Sequence, residues 1–270
     1  MMGLRSIIKR LMGQSGPIIP VVRLQGVIAA DQRPGRLNIE TVAPLLKRAF
    51  AIKSAPAVAI IVNSPGGSPV QSRLISKRIR DLADEHNKPV LVFVEDAAAS
   101  GGYFIAVAGD EIIADPSSIV GSIGVIFSGF GFVEAIGKLG VERRVHTAGR
   151  NKSTLDPFLP EKPEDIARIN QLETDIHKVF IDWVKLRRGT RLKASDDTLF
   201  TGEFWSGVRG LDLDLVDHLG DLRETLRARY GDKVELPVIA PKRGLFSLPR
   251  LGMALLNDIE DRSVWARLGL

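Results

Sequence analysis

No cysteine occurs in the 270 residues, so disulfides, thiolate metal ligands and a cysteine nucleophile are excluded together. Aromatic residues are scarce at 6%, and no basic stripe is interleaved with them, so a stacking surface for single-stranded nucleic acid has no support. Histidine occurs four times, at 86, 146, 177 and 218, which leaves a histidine-based centre few positions to draw on. Long apolar runs are missing too. Lys9 and Arg10 split Ile7 and Ile8 from Leu11 and Met12, so no signal-peptide core is expected there. The longest uncharged stretch, residues 116–133, is interrupted by four glycines and four serines; it reads as strand and loop, and no transmembrane helix is predicted.

What the chain does hold is apolar material, 44% of it, enough to bury a substantial core. The formal charge of +5 is unevenly placed: residues 1–50 carry eight Lys or Arg against two Asp or Glu. The remainder is close to neutral, and no nucleic-acid partner is expected. Within residues 3–13, Leu4, Ile7, Ile8, Leu11 and Met12 follow helical spacing, with Arg5, Lys9 and Arg10 available to lipid phosphates. That pattern suits a helix lying on a membrane surface; an arm that packs in an oligomer and a disordered end are the other readings.

Patterning predicts an alternation of strands and helices. IIPVVRLQGVI (18–28) reads as a strand and 38–53 as a helix with Asn38 as N-cap. AVAIIVN (57–63) is a short, wholly apolar, β-branched run, as in a strand covered on both faces. After SPGGSP the spacing predicts a helix over 70–86, then the strand PVLVFVE ending near Glu95. Residues 99–108 read as a buried helix, EIIAD, SIVGSIGVI and VERRVHT as further strands, and 163–189 as a long amphipathic helix. The order implies an α/β fold with a mainly parallel sheet. Three segments are expected: a basic amphipathic stretch over 1–17, one domain over 18–238, and a helical tail over 239–270.

Ser100 stands out in VFVEDAAASGGYFIAVAG, where small residues surround an alcohol between two apolar elements. A serine becomes a useful nucleophile only with a base to take its proton and donors to meet the oxyanion. His218 would give the chain order of an α/β-hydrolase, but with the strand expected to end near Glu95, Asp96 to Ala99 separate Ser100 from it, unlike the G-x-S-x-G elbow. A lysine is the other option, and a working lysine base must be neutral, about two to three units below its ordinary pKa of roughly 10.4. Lys152, in AGRNKSTLDPFLP, is a candidate, although a solvated loop lysine is the plainer reading of that residue alone.

NSPGGS, AAASGGYFIAVAGDEIIADPSSIVGSIGVI, GRNKSTLDPF and TGEFWSGVRGLDLDLVDHLG, in that order, resemble the signal peptide peptidase A family of serine-lysine peptidases. The resemblance covers roughly residues 20 to 225. It implies a Clp-protease and crotonase type of core with repeated β-β-α units, an endopeptidase that needs no ATP, and no metal or other cofactor. It matches Ser100 to the nucleophile, Lys152 to the general base and Ser122 to the residue that orients the lysine. Gly66, Gly67 and Gly101 fall at the oxyanion loop, and Gly121, Ile123, Gly124 and Val125 at the strand that pairs with substrate. Expected substrates are unfolded peptides, such as signal-peptide remnants or membrane-protein fragments.

Long members of that family carry two copies of the domain and share the dyad between them, whereas this chain holds one. A homo-oligomeric ring, with Lys152 supplied by a neighbouring protomer, is therefore implied. The expected location is cytoplasmic, peripheral at the inner face of the membrane through residues 3–13. A crotonase-like acyl-CoA enzyme and a non-catalytic membrane-associated scaffold are the competing functions.

Overall fold

The β-branched run after Ala57 becomes the buried centre of the sheet. β2 (Val58–Ser64) is buried at every position, lying between β1 (Val21–Gln25) and β3 (Val90–Ala99), parallel to both. Val58, Ile60 and Val62 enter one large cluster, while Ala59 and Ile61 enter a smaller one that includes Leu226. Alternate residues of a strand point to opposite faces, so a run apolar at every position needs cover on both. The computed structural model describes residues 16–33, 35–241 and 262–270. The segment expected to bind lipid, 3–13, and most of the expected tail lie outside the described residues.

The seven-stranded sheet runs β1-β2-β3-β4-β7, with β4 at Glu111–Ala114 and β7 at His218–Leu219. All of these pairs are parallel. β3 is the strand that makes the site, because it changes partners along its length. Leu91 to Val94 pair with β4, whereas Ala97 to Ala99 pair with β5 (Ile119–Gly121). The register against β2 slips between these halves, from Val62↔Val94 to Ser64↔Ala98. Asn63 holds that irregularity: its amide donates to Asp96 at 2.5 Å and its carbonyl oxygen accepts from the Ala97 N–H at 3.3 Å. β6 (Phe204–Ser206) closes the other edge of β5, antiparallel.

α1 (Ile39–Phe50) starts at Asn38 as expected, with its side chain accepting from the Thr41 N–H at 3.0 Å. α2 (Pro69–His86) has Ser68 as its cap and ends at Asn87 in the left-handed region. α3 (Gly101–Ala106) is buried throughout. After the small α4 (Val133–Lys138) comes α5 (Pro163–Arg188), whose C-terminal half clamps α3. Trp183 donates to the Phe104 carbonyl at 3.1 Å and Arg187 to that of Val107 at 3.0 Å, satisfying acceptors that a short helix leaves open. Arg188, buried, pairs with Asp217 at 2.7 Å. Burial works to raise the Asp217 pKa, but the Arg188 hydrogen bond and charge outweigh it and hold the carboxyl below its usual range. α6 (Asp196–Leu199), α7 (Gly207–Asp212) and α8 (Leu222–Tyr230) complete the order.

Three expected strands differ. The one over 18–28 is confined to β1, and the one over SIVGSIGVI stops at Gly121. VERRVHT forms none: residues 141–147 have no regular structure and are largely exposed. Residues 122–132 are likewise irregular. A β-prone sequence makes a strand only where another strand offers it a ladder of hydrogen bonds, and within the described residues, segments 122–132 and 141–147 pair with no strand.

Candidate active site around Ser100

β3 runs on to Ala99, so Ser100 stands directly at the strand-to-helix turn. This corrects the expectation that Asp96 to Ala99 lie outside the strand; the polar Glu95 and Asp96 mark the change of partners, not the strand's end. Ser100 has φ 51° and ψ −121°, a conformation that costs a non-glycine residue about 1–3 kcal/mol. Backbone bonds on both sides hold it there. Its N–H donates to the Gly121 carbonyl at 2.8 Å, and its carbonyl accepts from the Phe104 N–H at 2.9 Å. The side chain makes no helix-capping bond.

The small neighbours are dictated by contact. Gly66 and Gly67 have φ of 104° and 137°, where a side chain is strained. A Cβ on Gly66 would come within 2.8 Å of both Ser100 Cβ and Gly101 N, and one on Gly67 within 2.0 Å of the Ile28 carbonyl oxygen. On Gly101 it would meet Ser72 Oγ at 2.4 Å, and on Gly102 the Ser64 carbonyl oxygen at 2.5 Å. Ala97, Ala98 and Ala99 are fully buried beneath the turn. Gly66→Ala is accordingly expected to cost roughly 2–3 kcal/mol of stability, through the positive φ and the clash with the Ser100 turn. Chemical denaturation would measure it, and a loss under 1 kcal/mol would count against this packing.

Two backbone donors lie beside Ser100. The bridge between Ile28 and Gly67 uses the N–H groups of Ile28 and Ser68, which leaves that of Gly67 without a backbone partner among the described residues. Gly101, first in α3, has no preceding turn to donate to. Gly66 differs, since its N–H donates to Ser64 Oγ at 3.2 Å. The Gly67 nitrogen lies only 3.4 Å from where a Gly101 Cβ would be, so the two donors belong to one small region.

Ser100 opens on a cavity of about 430 Å3 between α2 and α5. Pro69 and Val70 form one wall, Ile176, Val179 and Phe180 the other, with Phe104, Gly124 and Val125 closing it. The spacing of Ile176, Val179 and Phe180 is the amphipathic pattern of α5, yet nothing in it distinguished a cavity wall from ordinary core. Among the described residues that line this cavity there is no His, Lys, Asp or Glu; Arg73 is its single charged side chain. No group of acidic residues and histidines able to hold a metal ion occurs among the described residues.

The remaining predicted residues divide. Gly121 is bonded to the Ser100 N–H and is paired within the sheet to both Ala99 and Phe204, so strand addition by a peptide along this segment has to begin beyond it. Its φ of 100° and the Trp205 ring 2.7 Å from a notional Cβ require glycine. Ser122, with φ 52°, donates its N–H to the Glu203 carbonyl at 2.7 Å. Ile123 is fully buried, and its carbonyl accepts from His177 Nε2 at 3.0 Å. His177, within the helix predicted over 163–189, thus ties α5 to the segment after β5. Gly124 and Val125 reach the cavity.

Lys152 does not join this group within one protomer: it is exposed, in the turns around residues 149–155. The segment that carries it displays Ile126, Phe127, Phe130, Leu139 and Val141 at 55% exposure or more. His218 does not line the cavity; it is exposed on β7 beside Glu111 at 3.3 Å. The serine geometry of the hydrolase alternative is therefore present, but its base lies elsewhere.

Residues 83–234 match the model of peptidase family S49, and the chain belongs to that family. Its likeness to signal peptide peptidases of this kind extends to Protease 4 of Haemophilus influenzae, 33% identical over 217 residues, which are 77% of this chain and 34% of that protein. A Brucella abortus protein named Na(+)/H(+) antiporter NhaA is 56% identical over 273 residues, covering 93% of this chain and 37% of the other. The chain thus spans little more than a third of these relatives. No helix among the described residues is long and apolar enough to cross a membrane, and most of the antiporter-named protein lies outside the match. A solved membrane-bound stomatin-specific protease shares the fold, with a TM-score of 0.52 at 16% identity over 84% of this chain and 100% of its own. The sheet and its helices are of the Clp-protease type.

Proposed function

We propose that the chain is an ATP-independent serine endopeptidase acting on unfolded peptides through Ser100. The observation that carries the reading is the turn itself: a serine at φ 51° beside the open N–H groups of Gly67 and Gly101, at the mouth of an apolar cavity. Strain of this kind persists only where the surroundings enforce it, and it sits where an exposed nucleophile is useful. Ser100 Oγ attacks the scissile carbonyl, the neutral amine of Lys152 takes the hydroxyl proton, and the oxyanion accepts hydrogen bonds from Gly67 and Gly101. Gly66 supplies space rather than a donor. Collapse expels the amine product with that proton, and water then hydrolyses the acyl-enzyme by the same route in reverse order. Ser122 orients the lysine. The apolar walls favour an aliphatic or aromatic side chain next to the cleaved bond, and suitable substrates include signal-peptide remnants and membrane-protein fragments.

The cavity has no base of its own, and the exposed apolar segment 126–141 leads into the turns that carry Lys152. Both observations support a homo-oligomeric ring in which that segment reaches a neighbour and delivers its Lys152 to the neighbour's Ser100. A location peripheral to the inner face of the membrane, through residues 3–13, belongs to the same proposal.

The test is covalent: a fluorophosphonate probe should phosphonylate Ser100 stoichiometrically, with Oγ bonding to phosphorus and fluoride leaving, as mapped by peptide mass spectrometry. A crotonase-type acyl-CoA enzyme would place carboxylates around the acyl group, and the described residues lining the cavity include none. That enzyme, or a scaffold that cuts nothing, predicts no labelling, and an unmodified Ser100 would decide against the peptidase.

A further inference from the structure

Behind the Ser100 cavity lies a second one of about 440 Å3, and the two share Arg73, Phe104 and Val179. Together they form one groove between α2 and α5. Its floor is aromatic, with Phe104 and Trp183 stacked at 6.0 Å between ring centres. Arg73 stands at the junction, about 6 Å further along α2 than Pro69 by helix rise.

Five charged side chains line the two cavities: Arg73, Lys77, Arg80, Asp81 and Asp182. Four of them are matched. Lys77 pairs with Asp81 at 2.6 Å, Arg80 with Asp110 at 2.8 Å and Asp84 at 3.0 Å, and Asp182 with Lys178 at 2.8 Å. Of these five, Arg73 is the one with no carboxylate partner among the described residues; the α5 wall facing it in the Ser100 cavity is Ile176, Val179 and Phe180, and Asp182, the α5 carboxylate of the second cavity, is taken by Lys178. The side chain is exposed, so it is not an arginine whose charge was merely buried and forgotten. An unpaired guanidinium over an apolar floor suits a ligand that brings an apolar group and a carboxylate together, because the arginine forks onto both carboxylate oxygens while the floor excludes water.

We infer that Arg73 is a specificity-determining residue that selects peptides bearing a carboxylate close to the apolar side chain held at Ser100. This rests on the peptidase reading of the same site. The carboxylate can come from a Glu or Asp side chain or from the free end of the peptide, and both present the same chemistry to Arg73.

The experiment uses the full chain and one quenched-fluorescent unfolded peptide in which Glu and then Gln are placed at each position in turn, with a free acid and an amide at the C-terminus as a separate arm. Wild type should favour Glu over Gln about 5- to 10-fold in kcat/KM at one position, or the acid over the amide by a similar factor; an ion pair at a partly desolvated rim is worth about that much. Arg73→Gln should bring that ratio to about one, Arg73→Glu should invert it toward Lys-bearing peptides, and Arg73→Lys, which keeps the charge but loses the fork, should keep only part of it. Ratios are compared within each variant, so a general loss of activity does not disguise the result. A wild type with no such preference, or a preference that survives Arg73→Gln, overturns the inference. If nothing is cleaved, the peptidase reading fails, and the same Glu-to-Gln ratio read as binding by fluorescence anisotropy still decides the role of Arg73.

Discussion

Ser100→Ala is expected to lower peptide cleavage by roughly four to six orders of magnitude while leaving the fold intact. The size follows from the step removed: without the alcohol no acyl-enzyme forms, and only oriented binding and the two backbone donors remain to assist direct attack by water. The fold survives because the turn is held by main-chain bonds, from the Ser100 N–H to Gly121 and from Phe104 to the Ser100 carbonyl, and alanine keeps both. A companion change separates chemistry from strain. Glycine tolerates φ 51° and ψ −121° at no steric cost, so Ser100→Gly should be equally inactive yet more stable by about 1 kcal/mol after its extra unfolded-state entropy is counted. Steady-state cleavage rates and denaturant midpoints check the pair. Retained cleavage in Ser100→Ala would remove the nucleophile from this account, and a glycine variant less stable than wild type would mean that the turn stores no strain.

Much of this site was visible in the residue pattern, for a physical reason. Crowding selects amino acids by size, and within 3 Å of a notional Cβ the glycines at 66, 67 and 102 meet backbone or Ser100 atoms and Gly101 meets the Ser72 hydroxyl, so the small residues around Ser100 record its surroundings directly. Runs apolar at every position, such as β2, record cover on both faces in the same way. What the pattern concealed were features set by distant partners. β3 looked finished at Glu95 because two polar residues follow its apolar run, yet Asn63, from another strand, satisfies Asp96 and the Ala97 N–H and lets the strand continue to Ala99. Nothing in the predicted helix over 163–189 marked out His177, because its acceptor, the Ile123 carbonyl, lies 54 positions away. VERRVHT and the residues after Gly121 carry strand-like sequence without strand structure, and here the mismatch is informative. Ile123 enters the core, but Ile126, Phe127, Phe130 and Val141 stay exposed on the protomer.

That mismatch leads to the second large effect. Lys152→Ala alone should be as inactive as Ser100→Ala alone, since an alcohol without a base is a poor nucleophile near neutral pH. If each site joins Ser100 of one protomer to Lys152 of the next, dissociating the two inactive proteins, mixing them in equal amounts and reassembling them should restore activity. An intact site then forms wherever a Lys152→Ala subunit contributes its serine and a Ser100→Ala subunit lies on the lysine-donating side. Random placement around a closed ring makes that arrangement about one interface in four, so the mixture should recover about a quarter of wild-type activity. The exposed apolar residues of segment 126–141 supply the contact that would carry Lys152 across, and Phe130, 82% exposed, is the natural place to break it: Phe130→Asp should lower both the assembled mass and the recovery. Cleavage assays on the mixtures, with mass photometry on the same samples, give the answer. Two inactive variants that stay inactive when mixed, despite forming mixed rings, would assign both groups of the dyad to one chain and require the segment to fold back onto its own Ser100.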